Sequence, residues 1–115
     1  MLPEIDARRI GHMIEDIDRI AAFLGAMSRD EFLVDLKTIY AVSAAFIRIG
    51  GAAGALSAEV RAAHPEVEWR DIRHFRNFLI HVYDKVDAAH LWEAAAGDLS
   101  PLREKLVALL GAYGR

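Results

Sequence analysis

Apolar residues recur at intervals of three and four along almost the whole chain, and nowhere do they alternate strictly with polar ones between turn signals. That period belongs to amphipathic helices, so the sequence predicts an all-α fold, a small antiparallel bundle of four to five helices. Ile10, Met13, Ile14, Ile17, Ile20, Ala21 and Leu24 mark a first helix over residues 5–27. Ser28, with Glu31 three residues on, forms a capping box for a second helix carrying Phe32, Leu36, Ile39, Tyr40, Phe46 and Ile47. Gly50, Gly51 and Gly54 are expected to loosen or break it. After a connection over residues 56–68, where Ser57 can cap and Pro65 interrupts, a third helix should begin at 69–71. A short helix near 88–95 follows. Asp98 or Ser100 can then cap a last helix with Pro101 in its first turn, closed on the core by Leu102, Leu106, Leu109 and Leu110. No repeat or linker interrupts the pattern, and residues 1–115 read as a single helical domain.

The third helix carries the chemistry. Ile72, Phe75, Phe78, Leu79, Val82 and Val86 gather on one side and should face the core. Arg73, Asn77 and Asp84 then project nearly opposite, with His74 and His81 to one side and Arg76 and Tyr83 flanking the other. Ile80 interrupts this polar face, a hint that a partner surface covers part of it. A permanent cation, an amide, an imidazole and a phenol within residues 76–83 suit work on a phosphate. A guanidinium can hold two phosphate oxygens at once, and an imidazole with an ordinary pKa of about 6.5 can accept or donate a proton at neutral pH. Arg70 and Arg73 add positive potential along the approach. Arg76 and His81 are nevertheless five residues apart and leave a regular helix about 140° from each other. One undistorted helix cannot aim both at one atom. Either the helix ends or bends near His81, or two copies meet about a twofold axis, each adding an arginine and a histidine; the dimer is the preferred reading.

Arg76, four residues, His81, any residue and Tyr83 make an ordered motif, flanked by Glu31-Phe32-Leu33, Arg48-Ile49-Gly50, Val67-Glu68-Trp69, Val86-Asp87 and Leu91-Trp92. Together they resemble the HepT-like toxins, members of the HEPN superfamily of all-helical ribonucleases. The resemblance implies a homodimer that cleaves RNA without a metal or other cofactor, by attack of the 2'-hydroxyl on the adjacent phosphate. Arg76 and His81 would be catalytic, with Asn77 and Arg73 contacting the substrate. It also implies a type II toxin-antitoxin pair, in which a minimal nucleotidyltransferase antitoxin, in a higher assembly with the toxin, adds adenylate to Tyr83. Bulk and negative charge there would block the phosphate site. One departure stands out. A glutamate commonly follows the Ile-Gly pair in the family, where this chain has Gly51. Its absence keeps a second reading open: a catalytically weak helical module of the same fold that engages a nucleotidyltransferase or nucleotide partner.

Composition narrows the field without adding chemistry. With 54% hydrophobic and 27% charged residues over 115 positions, the chain can bury a core and is not of disordered composition. It has no cysteine, which removes disulfides and thiolate metal sites, and it opens without a secretory pattern, so a cytoplasmic location is expected. His12, His64 and His90 are scattered, and His74 and His81 lie two turns apart without carboxylates in ligand register, so no metal site is expected. Residues 39–56 are nearly all apolar, but Arg48 in their middle argues against a membrane span and for a buried helix with a close crossing, the small residues from Gly50 to Gly54 letting two backbones approach across a dimer. Trp69 and Trp92 are expected to pack the core in preference to stacking on bases, and Asp16, Asp18, Asp30 and Asp35 to lie on exposed faces or at caps. A DNA-binding regulator is disfavoured because the third helix leaves only a narrow basic face.

Overall fold

Four long helices build the bundle in a computed structural model that describes residues 2–81 and 87–113: α1 (Glu4–Leu24), α3 (Leu36–Ala55), α5 (Trp69–His81) and α7 (Leu99–Tyr113). Three short ones, α2 (Arg29–Leu33), α4 (Ala58–Ala63) and α6 (Ala88–Glu93), turn the chain between them, and no strand occurs among the described residues. Val82, Tyr83, Asp84 and Val86, named above, lie outside the described residues.

α1 buries the stripe foreseen from its spacing, Ile10, Met13, Ile17 and Ile20, against α3. It stops at Gly25, whose φ of 51° is a left-handed conformation open to glycine, and the Gly25 N–H closes the last turn on the Ala21 carbonyl. Ser28 and Glu31 make the anticipated capping box. The helix it starts is only five residues long, however, because the Asp35 carboxylate accepts from the Thr38 N–H at 3.0 Å and begins α3 as a separate helix.

The expected break at the glycines does not occur. α3 runs unbroken through Gly50, Gly51 and Gly54, with Val42, Phe46, Ile49 and Ala53 in the core. Its end is held by two guanidiniums placed where the helix dipole favours cations. Arg61 donates to the carbonyls of Ala53, Gly54 and Leu56, and Arg9 donates to that of Ala55 at 2.6 Å. The buried Asp6 carboxylate accepts from the Ser57 N–H at 3.1 Å, tying the start of α1 to the cap of α4. By length and composition α3 could cross a membrane, yet Arg48 at its middle reaches the carboxylate of Asp16 on α1.

Trp69 opens α5 as a packing residue: it is buried and its indole N–H donates to the His64 carbonyl. Trp92 packs against Phe32, the rings tilted by 46° with centroids 5.5 Å apart, and docks α6 on α2. Neither Asp98 nor Ser100 begins a new helix. α6 passes through a π-helical turn, Ala94–Asp98, directly into α7. Pro101 has no N–H to offer the carbonyl four residues back, and a widened turn just ahead of it accommodates that loss without ending the helix.

Candidate functional site

Gly50 decides where Arg76 sits. α3 and α5 cross so closely there that a Cβ on Gly50 would overlap the Arg76 side chain, lying 2.7 Å from its Cγ and 3.1 Å from its Cδ. A close crossing of the kind foreseen for the glycine segment thus occurs within the chain at Gly50. Gly51 and Gly54 face open space instead. With Ala55, Arg73, Arg76 and Asn77 they line a cleft of about 390 Å³.

Within this cleft the Arg76 Nη1 donates to the Asn77 Oδ1 at 3.2 Å, so the amide helps fix the plane of the guanidinium. The Arg76 Nε is buried and has no acceptor among the described residues. An orphaned buried donor of this kind carries a desolvation penalty that an incoming acceptor would relieve. Arg73 is exposed beside it, and no carboxylate lines the cleft. Its walls thus offer two fixed positive charges and small residues, which suits an anion.

His81 is exposed at the last described position of α5 and does not line the cleft. Its direction on the helix, about 140° from Arg76, keeps the two apart within this chain. The structure thus brings Arg76, Asn77 and Arg73 together and leaves His81 on another face. Among the described residues no group of three or more His, Asp or Glu side chains could hold a metal ion.

A family model described as Ribonuclease HepT-like matches residues 13–109. The chain belongs to the HepT-like ribonuclease family. It is 35% identical over 91 residues to "Probable ribonuclease HepT" of Thermococcus cleftensis, covering 79% of this chain and 83% of that one. It is 27% identical over 94 residues to "Putative RNase MJ1380" of Methanocaldococcus jannaschii, covering 82% and 86%. No solved structure matches.

Two expectations about this HepT-like chain need correcting. Phe78, assigned to the core stripe, is 37% exposed, because α5 meets its neighbours on the side of Trp69, Ile72, Arg76 and Leu79 and turns Phe78 away. Asp16, assigned to an exposed face, is buried and accepts from Arg19 at 2.8 Å and from Arg48 at 3.0 Å. Spacing hid both: Phe78 sits at the margin of the apolar arc, and Asp16 lies beside Ile17 on the buried side of α1. The role of Gly50 was legible only as smallness. Nothing in the sequence marks Arg76 as the side chain that passes over it.

On its other flank α5 helps line a second groove of about 440 Å³ with an apolar floor that includes Phe46, Ile72, Phe75 and Leu102. Glu68, Asp71 and Asp98 edge it. Lys105 and His90 line it too, but the carboxylates outnumber the lysine, so the Arg76 flank is the more attractive to an anion.

Proposed function

We propose that this HepT-like ribonuclease acts as a homodimer, as the toxin of a toxin-antitoxin pair, and cuts RNA without a metal at sites that each combine Arg76 of one protomer with His81 of the other. The observation that carries this reading is the orphaned, half-buried Arg76 guanidinium, held over Gly50 in a cleft without carboxylates, while His81 leaves the same helix in another direction. A second copy reconciles them. The uncovered face of α3 supports one: Leu36 and Tyr40 are 62% and 67% exposed and, with Ile47, Gly51 and Gly54, form a stripe without charges that leads into the cleft.

In such a site the 2'-hydroxyl oxygen attacks the phosphorus and the bond to the 5'-oxygen breaks. His81 of one protomer accepts the hydroxyl proton or delivers one to the leaving 5'-oxygen. Arg76 binds the non-bridging oxygens as charge builds on them, Asn77 keeps the guanidinium in plane, and Arg73 holds a neighbouring phosphate. The products are a 2',3'-cyclic phosphate and a 5'-hydroxyl. Regulation by an antitoxin nucleotidyltransferase that adds adenylate to Tyr83 belongs to the same reading. It is tested by mass spectrometry of the co-expressed pair, where an unmodified Tyr83 peptide would count against it.

Mixing variants tests the shared site. Purified Arg76→Ala and His81→Ala proteins should each be inactive on RNA in chelator. After exchange of subunits, about a quarter of wild-type activity should return, because half the dimers are mixed and each holds one intact pair. No recovery, with subunit exchange confirmed by mass spectrometry, would place both residues in one protomer's site or remove them from catalysis. A second reading rests on Gly51. Its position has open space where a family glutamate would fit, so the chain can be a weakly catalytic module that binds a nucleotidyltransferase or nucleotide partner. Cleavage absent in every preparation would favour it.

A further inference from the structure

Four aromatic rings run in contact from the core to the surface of α5. Phe46, buried on α3, meets Phe75 edge-on at 4.9 Å; Phe75 meets His90 of α6 at 5.6 Å; His90 meets Phe78 at 6.4 Å. The series ends on an exposed ring. Phe78 precedes His81 by three residues and follows His74 by four, so both are its neighbours on the helix surface, their Cβ atoms about 5–6 Å away. An exposed phenylalanine has no polar partner to satisfy, and here it stands at the edge of a face that carries Arg70, Arg73, His74, Asn77 and His81, with Asp71 two turns back on its own side. The tryptophans that the sequence offers for stacking are otherwise engaged, Trp69 buried and Trp92 packed on Phe32.

We infer that Phe78, buttressed by His90, is a stacking subsite for an unpaired nucleobase next to the phosphate at His81. An exposed flat ring set beside His90, which in turn meets Phe75, offers stacking at little entropic cost. The basic side chains beside it track the backbone, and a base can reach the ring only when it is out of a duplex. This subsite rests on the ribonuclease reading for its role, and it predicts preference for single-stranded cleavage sites. Being blind to base edges, it discriminates paired from unpaired nucleotides and not one base from another.

The test uses a 2'-O-methyl single strand, which the enzyme cannot cut. Phe78→Trp should show saturable quenching of its fluorescence on titration, beyond that of wild type with its two native tryptophans, and an abasic residue at the stacked position should weaken binding about tenfold or more. On cleavable RNA, Phe78→Leu keeps apolar bulk without a π-face and should raise KM by about tenfold with kcat nearly unchanged, while Phe78→Trp stays close to wild type. Thermal midpoint and dimer mass should not change in either variant. Binding by Phe78→Leu equal to wild type would overturn the subsite, as would a dimer that dissociates in that variant, since the ring would then face protein. If the binding pattern holds but no preparation cuts RNA, the subsite stands and the catalytic reading of Arg76 and His81 falls.

Discussion

Two arginines lie at the seams of α3, Arg48 on that helix and Arg76 on α5, and are treated in opposite ways. At the α1–α3 seam Arg48 leaves the helix toward solvent but turns its Nε to Asp16, a carboxylate that is only 3% exposed and also holds Arg19. At the α3–α5 seam, two residues further along, Gly50 receives Arg76, whose own Nε is buried with no acceptor among the described residues. The first cation is spent on the fold. The second is positioned as firmly, by shape instead of charge, and left available. A residue that served stability alone would be expected to look like Arg48, so the contrast, between one arginine on α3 and one on α5, marks Arg76 as the candidate for work on a ligand.

The sharpest way to break the comparison is to fill the crossing. Gly50→Ala places a methyl group on the Arg76 side chain, and the helices must separate or the arginine must leave. A loss of about 1–3 kcal/mol in chemical denaturation is expected from overpacking, together with loss of RNA cleavage. Gly51→Ala and Gly54→Ala meet open space within the chain, so neither should incur that overpacking loss at the α3–α5 crossing. If Gly50→Ala proves as stable as those two, the close packing does not position Arg76.

Exchanging the roles of the two cations is the next test. Asp16→Ala removes a buried acceptor with charge-assisted bonds from both arginines, and should lower stability by about 2 kcal/mol while cleavage of RNA by the folded protein persists. Arg76→Ala should do the reverse. It deletes an unsatisfied buried donor, so the unfolding midpoint should stay level or rise, and activity should disappear. An Arg76→Ala protein that unfolds as readily as Asp16→Ala would make Arg76 a second structural arginine.

The seam that was easiest to foresee is the one held by apolar periodicity. Ile10, Met13, Ile17 and Ile20 mark the buried side of α1 in sequence and in structure, since a helical period is a local property. Caps were local as well, and Ser28, Asp35 and Ser57 all act as caps. The site was legible in its residue types but not in its assembly. The Arg76 and His81 divergence follows from the pitch of one helix, whereas Gly50 under Arg76, Asp16 under Arg48 and the exposure of Phe78 depend on how separate helices cross. The continuity of α3 through its glycines has the same origin. Arg9 and Arg61, both distant from the glycines in sequence or element, complete the carbonyls that a propensity scale leaves open.

The smallest effect expected comes from a carboxylate two residues beyond Asp16. Asp18 faces water on the same helix and accepts from Arg103 of α7 at 2.7 and 3.1 Å, and that hydrogen bond holds its pKa below the usual aspartate value. Because the folded pKa is depressed, the linked stability is present above the unfolded value of about 4 and is lost as pH falls through the lower folded one. Asp18→Asn should therefore lower the thermal midpoint slightly at pH 7, with the difference from wild type shrinking below about pH 4 and also in high salt, which screens an exposed pair. Thermal scans of both proteins across pH and salt measure it. A penalty as large as that of Asp16→Ala, or one insensitive to salt, would mean that burial is not what distinguishes these two carboxylates, and the reasoning that sets Arg48 apart from Arg76 would lose its basis.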